Sequence, residues 1–95
     1  LRNNGGYMYT LIIDKKEVVT NLTAINVKED KVFVGRRDEP LEELRDYMDG
    51  KGHSIQLKRN SSGQILESFD SCMFEYEERR YSERMDATFT IRIET

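Results

Sequence analysis

Two residues of the sequence have side chains that often act together as nucleophile and base. The chain contains a single histidine, His53, and a single cysteine, Cys72. A thiol becomes a strong nucleophile when an imidazole takes up its proton, so this pair is the first candidate for catalysis. The alternation of apolar residues around Cys72, however, predicts that it lies in the core as a small hydrophobic residue. We predict that His53 is an ordinary residue at the surface or at the edge of a strand.

Metal binding and acid–base chemistry have little support in the pattern of the other residues. A zinc site would need further histidines or cysteines, which the sequence does not supply. The acidic residues fall mainly on the outer faces of predicted elements, where they are usually solvated. The sequence GKG at residues 50–52 follows a predicted helix, whereas a phosphate-binding loop precedes one. We therefore predict no catalytic residue, no metal site and no cofactor.

The arginines occur in groups that could form a binding surface. Basic residues interleaved with aromatic ones are typical of nucleic-acid interfaces. Here each arginine pair has acidic neighbours, and the formal net charge of -3 argues against nucleic acid as the partner. We therefore interpret the second arginine group as a solvated hairpin end, with a contact between subunits as the main functional alternative. The residues of this predicted interaction surface are Arg36, Arg37, Arg79, Arg80, Tyr81 and Arg84.

The elements that position these residues are indicated by the spacing of the apolar side chains. Alternation with a period of two, rich in β-branched and aromatic residues, predicts strands. We expect six or seven antiparallel strands, and so a mainly β fold: a β-sandwich or small barrel-like sheet with one short α-helix. The predicted strands cover Tyr7–Ile13, Val18–Val27 as one strand or two, Val32–Gly35, His53–Arg59, Gln64–Phe69 continuing through Cys72–Tyr76, and Ala87–Ile93.

The period changes in the segment PLEELRDYMDGKG. Leu41, Leu44 and Met48 are spaced as on one face of an α-helix. Pro40 suits the first helical turn, where its missing N–H is not needed, and the glycines at 50 and 52 suit the end. We predict a short α-helix over Leu41–Met48, held in place by packing.

The segment FEYEERRYSERMDATFTIRIET predicts a hairpin. Strict alternation places Cys72, Phe74 and Tyr76 on the core face, together with the apolar residues of the last strand. A four-residue loop over Tyr81–Arg84 would put Arg79 opposite Asp86, which is an attractive pair across the two strands. A two-residue loop would place like charges opposite each other, so we predict the longer loop.

The length of 95 residues predicts one domain, over residues 1–95, in which residues 1–6 form a loose leader. The sequence begins with Leu1 rather than Met, so we expect that residues before it have been removed or processed. No apolar run approaches the roughly 20 residues that span a bilayer, so we expect no membrane partner.

The order of elements from Asp38 to Thr95 resembles the second half of phage tail-tube proteins and of the related tube protein of type VI secretion. In that family a helix flanks a β-sandwich or barrel, and subunits close into rings that stack into a tube. The long loop by which tube subunits contact the next ring is not evident in residues 1–95 unless it lies before Leu1, so stacking into a continuous tube is less expected. A smaller tail-completion or capsid-associated protein is therefore an equal reading of the same resemblance.

The residues and the resemblance together predict a function carried by surfaces. We expect a non-enzymatic structural protein of a phage tail or virion that associates with itself, in a ring, or with other virion proteins, in the virion or the host cytoplasm. The expected contact elements are the hairpin from Cys72 to Glu94, whose last strand could pair with a neighbour, and the predicted helix. The alternative is a small binding module that inhibits or regulates a host protein or a nucleic acid.

Overall fold

A computed structural model describes residues 7–81, 83 and 85–94 of the chain. The predictions for residues 1–6 and for Arg84 lie outside these residues. The mainly β fold is confirmed, with seven antiparallel strands in one sheet. The strands are β1 Tyr9–Ile13, β2 Lys16–Leu22, β3 Ala24–Lys28, β4 Lys31–Arg36, β5 His53–Arg59, β6 Ile65–Arg79 and β7 Ala87–Ile93, and a 3₁₀ helix covers Glu42–Tyr47.

The strand order is β2-β1-β5-β6-β7-β4-β3, and two long segments bend the sheet into a barrel-like shape. Only Thr23 separates β2 from β3, so the strand at one edge continues directly into the strand at the other edge. The backbone N–H of Thr23 donates to the carbonyl oxygen of Gly35 at 2.8 Å. The 15-residue β6 forms the other corner, because its first half pairs with β5 and its second half with β7. Such corner strands are typical of orthogonally packed sheets.

The core lies inside the curled sheet. It is built from the alternate residues of the strands that face inward, together with two leucines beside and in the 3₁₀ helix. β7 lies near its centre, since β6 pairs with one side of it and β4 with the other. Phe89 on β7 is fully buried, and each buried side chain of this size stabilises the fold by about 1.5–3 kcal/mol. The largest fully buried side chains are Phe89, Leu11, Ile13, Leu22, Leu41, Leu44, Ile55, Leu57, Ile91, Val19, Val32 and Val34.

The prediction of an α-helix over Leu41–Met48 was wrong in helix type. The segment forms a 3₁₀ helix, closed by hydrogen bonds from Leu44 N to Leu41 O and from Met48 N to Arg45 O, both at 3.1 Å. With three residues per turn, Leu41, Leu44 and Tyr47 share one face, and Met48 falls outside it. Leu41 and Leu44 are fully buried, whereas Met48 is 43% exposed. No helix in the described residues is long and apolar enough to cross a membrane.

The register of the β6–β7 hairpin also differs from the prediction. From Cys72 to Phe74 the pairing follows the predicted register, but the pairing shifts by one residue between Phe74 and Tyr76. This β-bulge places Arg79 opposite Ala87 instead of Asp86. It also reverses the alternation, so Tyr76 is 45% exposed and Glu77 occupies the inward position opposite Phe89. The prediction that Tyr76 faces the core was therefore wrong.

Candidate functional site

The five described residues of the predicted interaction surface do not form one exposed patch. Arg36 ends β4 and Arg79 ends β6, and both lie opposite Ala87 of β7, so they occupy one row of the sheet. The side chain of Arg36 is only 5% exposed, whereas Arg80 and Tyr81 lie in water. The structure brings the two arginine groups to the same end of the barrel, but it removes Arg36 from the surface.

Arg36 is bound on several sides by polar groups. Its two terminal nitrogens donate to the carboxylate oxygens of Glu43 at 2.7 and 2.8 Å. They also donate to the side-chain oxygen of Asn21 and to the carbonyl oxygen of Pro40, and its Nε lies 3.1 Å from the carboxylate of Glu39. The hydrogen bonds to Glu43 raise the pKa of Arg36 and lower the pKa of Glu43, although burial opposes both shifts. Arg36 therefore anchors the segment that follows β4.

Glu77 anchors the same segment from the other side, and sequence analysis missed it. The β-bulge turns its side chain inward, where it is 8% exposed. One carboxylate oxygen accepts a hydrogen bond from the backbone N–H of Leu41, and the other accepts from Arg45 at 2.9 Å. A buried backbone N–H needs such a partner, so Glu77 fixes the start of the 3₁₀ helix.

The exposed part of the predicted surface is small and contains both positively and negatively charged side chains. The guanidinium of Arg79 lies 5.4 Å from the centre of the Tyr81 ring, which is 72% exposed. The backbone N–H of Arg80 donates to the carbonyl oxygen of Asp86, and the backbone N–H of Asp38 contacts the Asp86 carboxylate at 3.3 Å. Acidic groups thus lie among the arginines, as expected for a solvated hairpin end.

His53 and Cys72 lie directly opposite each other on β5 and β6. The prediction that Cys72 is a core residue is confirmed, because it is fully buried, and burial raises the pKa of its thiol to about 11. A thiol with such a pKa is protonated near neutral pH and is a poor nucleophile. Both ring nitrogens of His53 are engaged by carboxylates instead, so the two residues do not form a thiolate–imidazole pair.

The prediction placed His53 at the surface or at the edge of a strand, and it is the first residue of β5, but its side chain is mostly buried. Its side chain is 10% exposed, and Nδ1 lies 2.7 Å from the carboxylate of Asp14 while Nε2 lies 2.9 Å from that of Asp49. The rings of Tyr47 and Phe74 meet the imidazole edge-on, with centroid distances of 5.2 and 5.8 Å. Asp14 is 39 residues away in sequence, so no local pattern could have indicated this cluster.

Two further features bear on ligand binding. Within the described residues there is no group of three or more histidine, cysteine, aspartate or glutamate side chains that could hold a metal ion. A shallow recess of about 120 Å³ lies on the outer face of β1, β5 and β6, beside Lys15, Gln56 and Asp70. This volume is well below the roughly 300–1,000 Å³ that encloses a small-molecule ligand.

Several strand edges of the sheet are paired on one side only in the described part of the chain. β3 pairs with β4 on one side only. The first half of β6, residues 65–70, pairs only with β5, because the pairing with β7 begins at Cys72. β2, at the other end of the strand order, likewise pairs with β1 alone, and it also contacts β4 and the 3₁₀ helix. Since both sides of β7 are paired, the prediction that the last strand offers a free edge to a neighbour was wrong.

The open edges of β3 and of the first half of β6 carry charges of opposite sign. Glu67 and Asp70 are exposed on the first half of β6, and Lys28 is exposed at the end of β3. None of these three side chains makes an ion pair with another described residue. Charges on an unpaired edge usually block the addition of a further strand, but an edge with the opposite charge can still be accepted.

Comparisons with known proteins add no assignment. No family model, no curated protein and no solved structure matches the chain.

Proposed function

We propose that this chain is a non-enzymatic structural protein that associates with further copies of itself, as a component of a phage tail or virion. The observation that carries the proposal is that β3 and the first half of β6 are each paired on one side only. The order of elements, which resembles that of tail-tube proteins, supports the placement in the virion or in the host cytoplasm. The contact elements are thus the two edges, in place of the hairpin and helix expected from the sequence.

The two edges lie on different strands, and this has a consequence for the assembly. A contact between two different surfaces of identical subunits is heterologous, and it generates a closed ring or an open filament rather than a simple dimer. The β3 edge has 5 residues, and residues 65–70 of β6 are of similar length. Each edge spans about 17–20 Å at about 3.3 Å per residue, so one edge can pair along its whole length with the other.

Charge favours the pairing of unlike edges. Pairing of β3 with β6 brings Lys28 near Glu67 and Asp70, whereas pairing of two β6 edges brings acidic residues together. Like charges across an interface suppress the wrong partner, and opposite charges fix the register. Glu29 and Asp30 lie beyond the end of β3, in the turn. The proposal is therefore a head-to-tail contact between copies.

Size-exclusion chromatography with light scattering, from micromolar to millimolar concentration, tests this proposal. We expect oligomers for the natural sequence, and smaller species for Glu67→Lys alone and for Lys28→Glu alone. In an equimolar mixture of the two variants both contacts between unlike chains are attractive, so oligomers in which the two variants alternate should form again. Lys51→Glu makes the same charge change as Lys28→Glu, but away from both edges, so it should leave association intact. A natural sequence that stays monomeric at millimolar concentration would refute self-association.

A second candidate function is a small binding module for a host protein or a nucleic acid. The observation in its favour is the pair Arg79 and Tyr81, because exposed tyrosines and arginines often dominate binding interfaces. A nucleic-acid ligand would bind with strong salt dependence and would lose affinity on Tyr81→Ala. Titration of a labelled single-stranded oligonucleotide at two salt concentrations separates this candidate from self-association.

A further inference from the structure

The imidazole of His53 connects the start of its own strand with two other segments of the chain. Asp14 belongs to the turn between β1 and β2, Asp49 to the loop after the 3₁₀ helix, and His53 itself begins β5. Each ring nitrogen lies within 2.9 Å of one carboxylate oxygen. Two acceptors can be satisfied at once only when both nitrogens carry a proton, so this geometry fits the imidazolium.

We propose that His53 is a pH-dependent latch that holds the loop after the 3₁₀ helix, residues 48–52, against the β1–β2 turn. In the protonated form the imidazolium donates one hydrogen bond to each carboxylate. In the neutral form one nitrogen has a lone pair in place of a proton and cannot donate to the carboxylate beside it. One of the two contacts is therefore lost on deprotonation.

The surroundings of the two carboxylates decide which contact is lost. Asp14 is fixed by the backbone: its other carboxylate oxygen accepts from Ser54 N at 3.1 Å, and its own N–H donates to Ser54 O at 2.9 Å. Asp14 and Lys15 both have positive φ, as do the two central residues of the tight turns that join the strands of a hairpin. Among the described residues, the other hydrogen-bond partner of Asp49 is Lys51 N, within the same loop. The Nδ1 contact to Asp14 is thus retained, and the loop with Asp49 is released.

The charged and titratable groups that face the imidazole come from every neighbouring element. Asp14 and Asp49 are the carboxylates, Tyr47 is supplied by the 3₁₀ helix, and Cys72 lies opposite on β6. Cys72, with its pKa near 11, stays uncharged around neutral pH. Burial lowers the pKa of His53, but the hydrogen bonds with Asp14 and Asp49 outweigh burial and raise it above its usual 6.5.

The direction of the pH effect follows from these shifts. Because the pKa of His53 is higher in the folded chain, its stabilising effect is complete below the unfolded value near 6.5 and is lost as the pH rises through the folded value. The hydrogen bond with His53 lowers the pKa of Asp49 below the usual 3.8. The stabilising contribution of the Asp49 carboxylate is therefore lost as the pH falls through this lowered pKa. The latch is therefore closed in mildly acidic solution and opens as the pH rises above the pKa of His53 in the folded chain.

Nuclear magnetic resonance of the intact chain tests the latch directly. Across the titration of His53 we expect the ¹⁵N shifts of the ring to report the Nδ1–H tautomer at high pH. Amide protection factors in residues 49–52, corrected for the intrinsic effect of pH, should fall several-fold over the same range, while that of Ser54 stays constant. Retention of the Nε2–H tautomer, or constant protection in the loop as His53 titrates, would overturn the proposal.

Two variants keep this test specific. His53→Gln has a side chain of similar reach that does not titrate, so loop protection should no longer change with pH. Asp49→Asn keeps an acceptor at the same place without its charge, so it should lower the pKa of His53. A pH-dependent loop in His53→Gln would assign the effect to another group and would equally overturn the proposal.

Discussion

Glu77 is the side chain on which the attachment of the 3₁₀ helix depends most. It contacts the backbone at Leu41 and the guanidinium of Arg45, and it lies among core residues opposite Phe89. A carboxylate in such a position is stable only because donors surround it. Loss of its oxygens would leave the buried N–H of Leu41 without a described partner.

We predict that Glu77→Ala lowers the free energy of unfolding by about 2 kcal/mol, the usual cost of an unsatisfied buried donor. Glu77→Gln should cost less, because its amide oxygen can still accept from Leu41 N. Urea unfolding measures both changes, and Glu78→Ala is the matched control, since Glu78 is exposed on the next position of the same strand. Equal effects of Glu77→Ala and Glu78→Ala would show that the inward position of Glu77 is wrong.

Single positions were predictable from the sequence where they follow alternation without interruption. Cys72, Phe74 and Phe89 lie in the core as predicted. Glu77 was not predictable, because a β-bulge inserts one residue without a local signal and reverses the alternation beyond it. The partners of His53 were not predictable for another reason: Asp14 approaches only when the β1–β2 turn meets the start of β5.

Among the elements, the 3₁₀ helix has the clearest consequence for packing. The spacing of Leu41, Leu44 and Met48 is also compatible with an α-helix, and the sequence alone favoured that reading. The segment is short, and a short helix gains little from its own hydrogen bonds, so packing decides its type. The tighter helix places Tyr47 against the core and leaves Met48 half-exposed.

Substitution of the two residues by alanine distinguishes the helix types. Leu44→Ala should lower the free energy of unfolding by about 2–5 kcal/mol, as for other fully buried leucines, and Met48→Ala by about 1 kcal/mol or less. Thermal or urea unfolding of the two variants beside the natural sequence provides the comparison. A cost for Met48→Ala as large as that for Leu44→Ala would instead support the α-helical face.

The strands themselves were largely predictable, and their neighbours were not. The bounds of β5 and β7 agree with the predicted His53–Arg59 and Ala87–Ile93. Alternation identifies a strand but does not indicate which strands lie beside it. β7 was therefore expected to offer a free edge, although it lies between β6 and β4. The open edges are found instead on β3 and on the first half of β6.

For the molecule as a unit, the curled sheet explains why only part of its edge is open. The continuation of β2 into β3 brings the two ends of the sheet together at Thr23, and the long β6 closes the opposite corner. Among the described residues, β3 and the first half of β6 are each paired on one side only, and their exposed charges have opposite signs. An open edge attracts a further strand unless it is blocked, and here the charges favour the other edge of a second copy.

Hydrogen exchange of the natural chain at low and at high concentration, read residue by residue, tests head-to-tail pairing of these edges most directly. We predict that amides in Ala24–Lys28 and in residues 65–70 become more protected as the concentration rises, while those of the central strand β7 do not change. The added protection should disappear in Glu67→Lys. Oligomers that form without any added protection at these two edges would contradict the proposed contact.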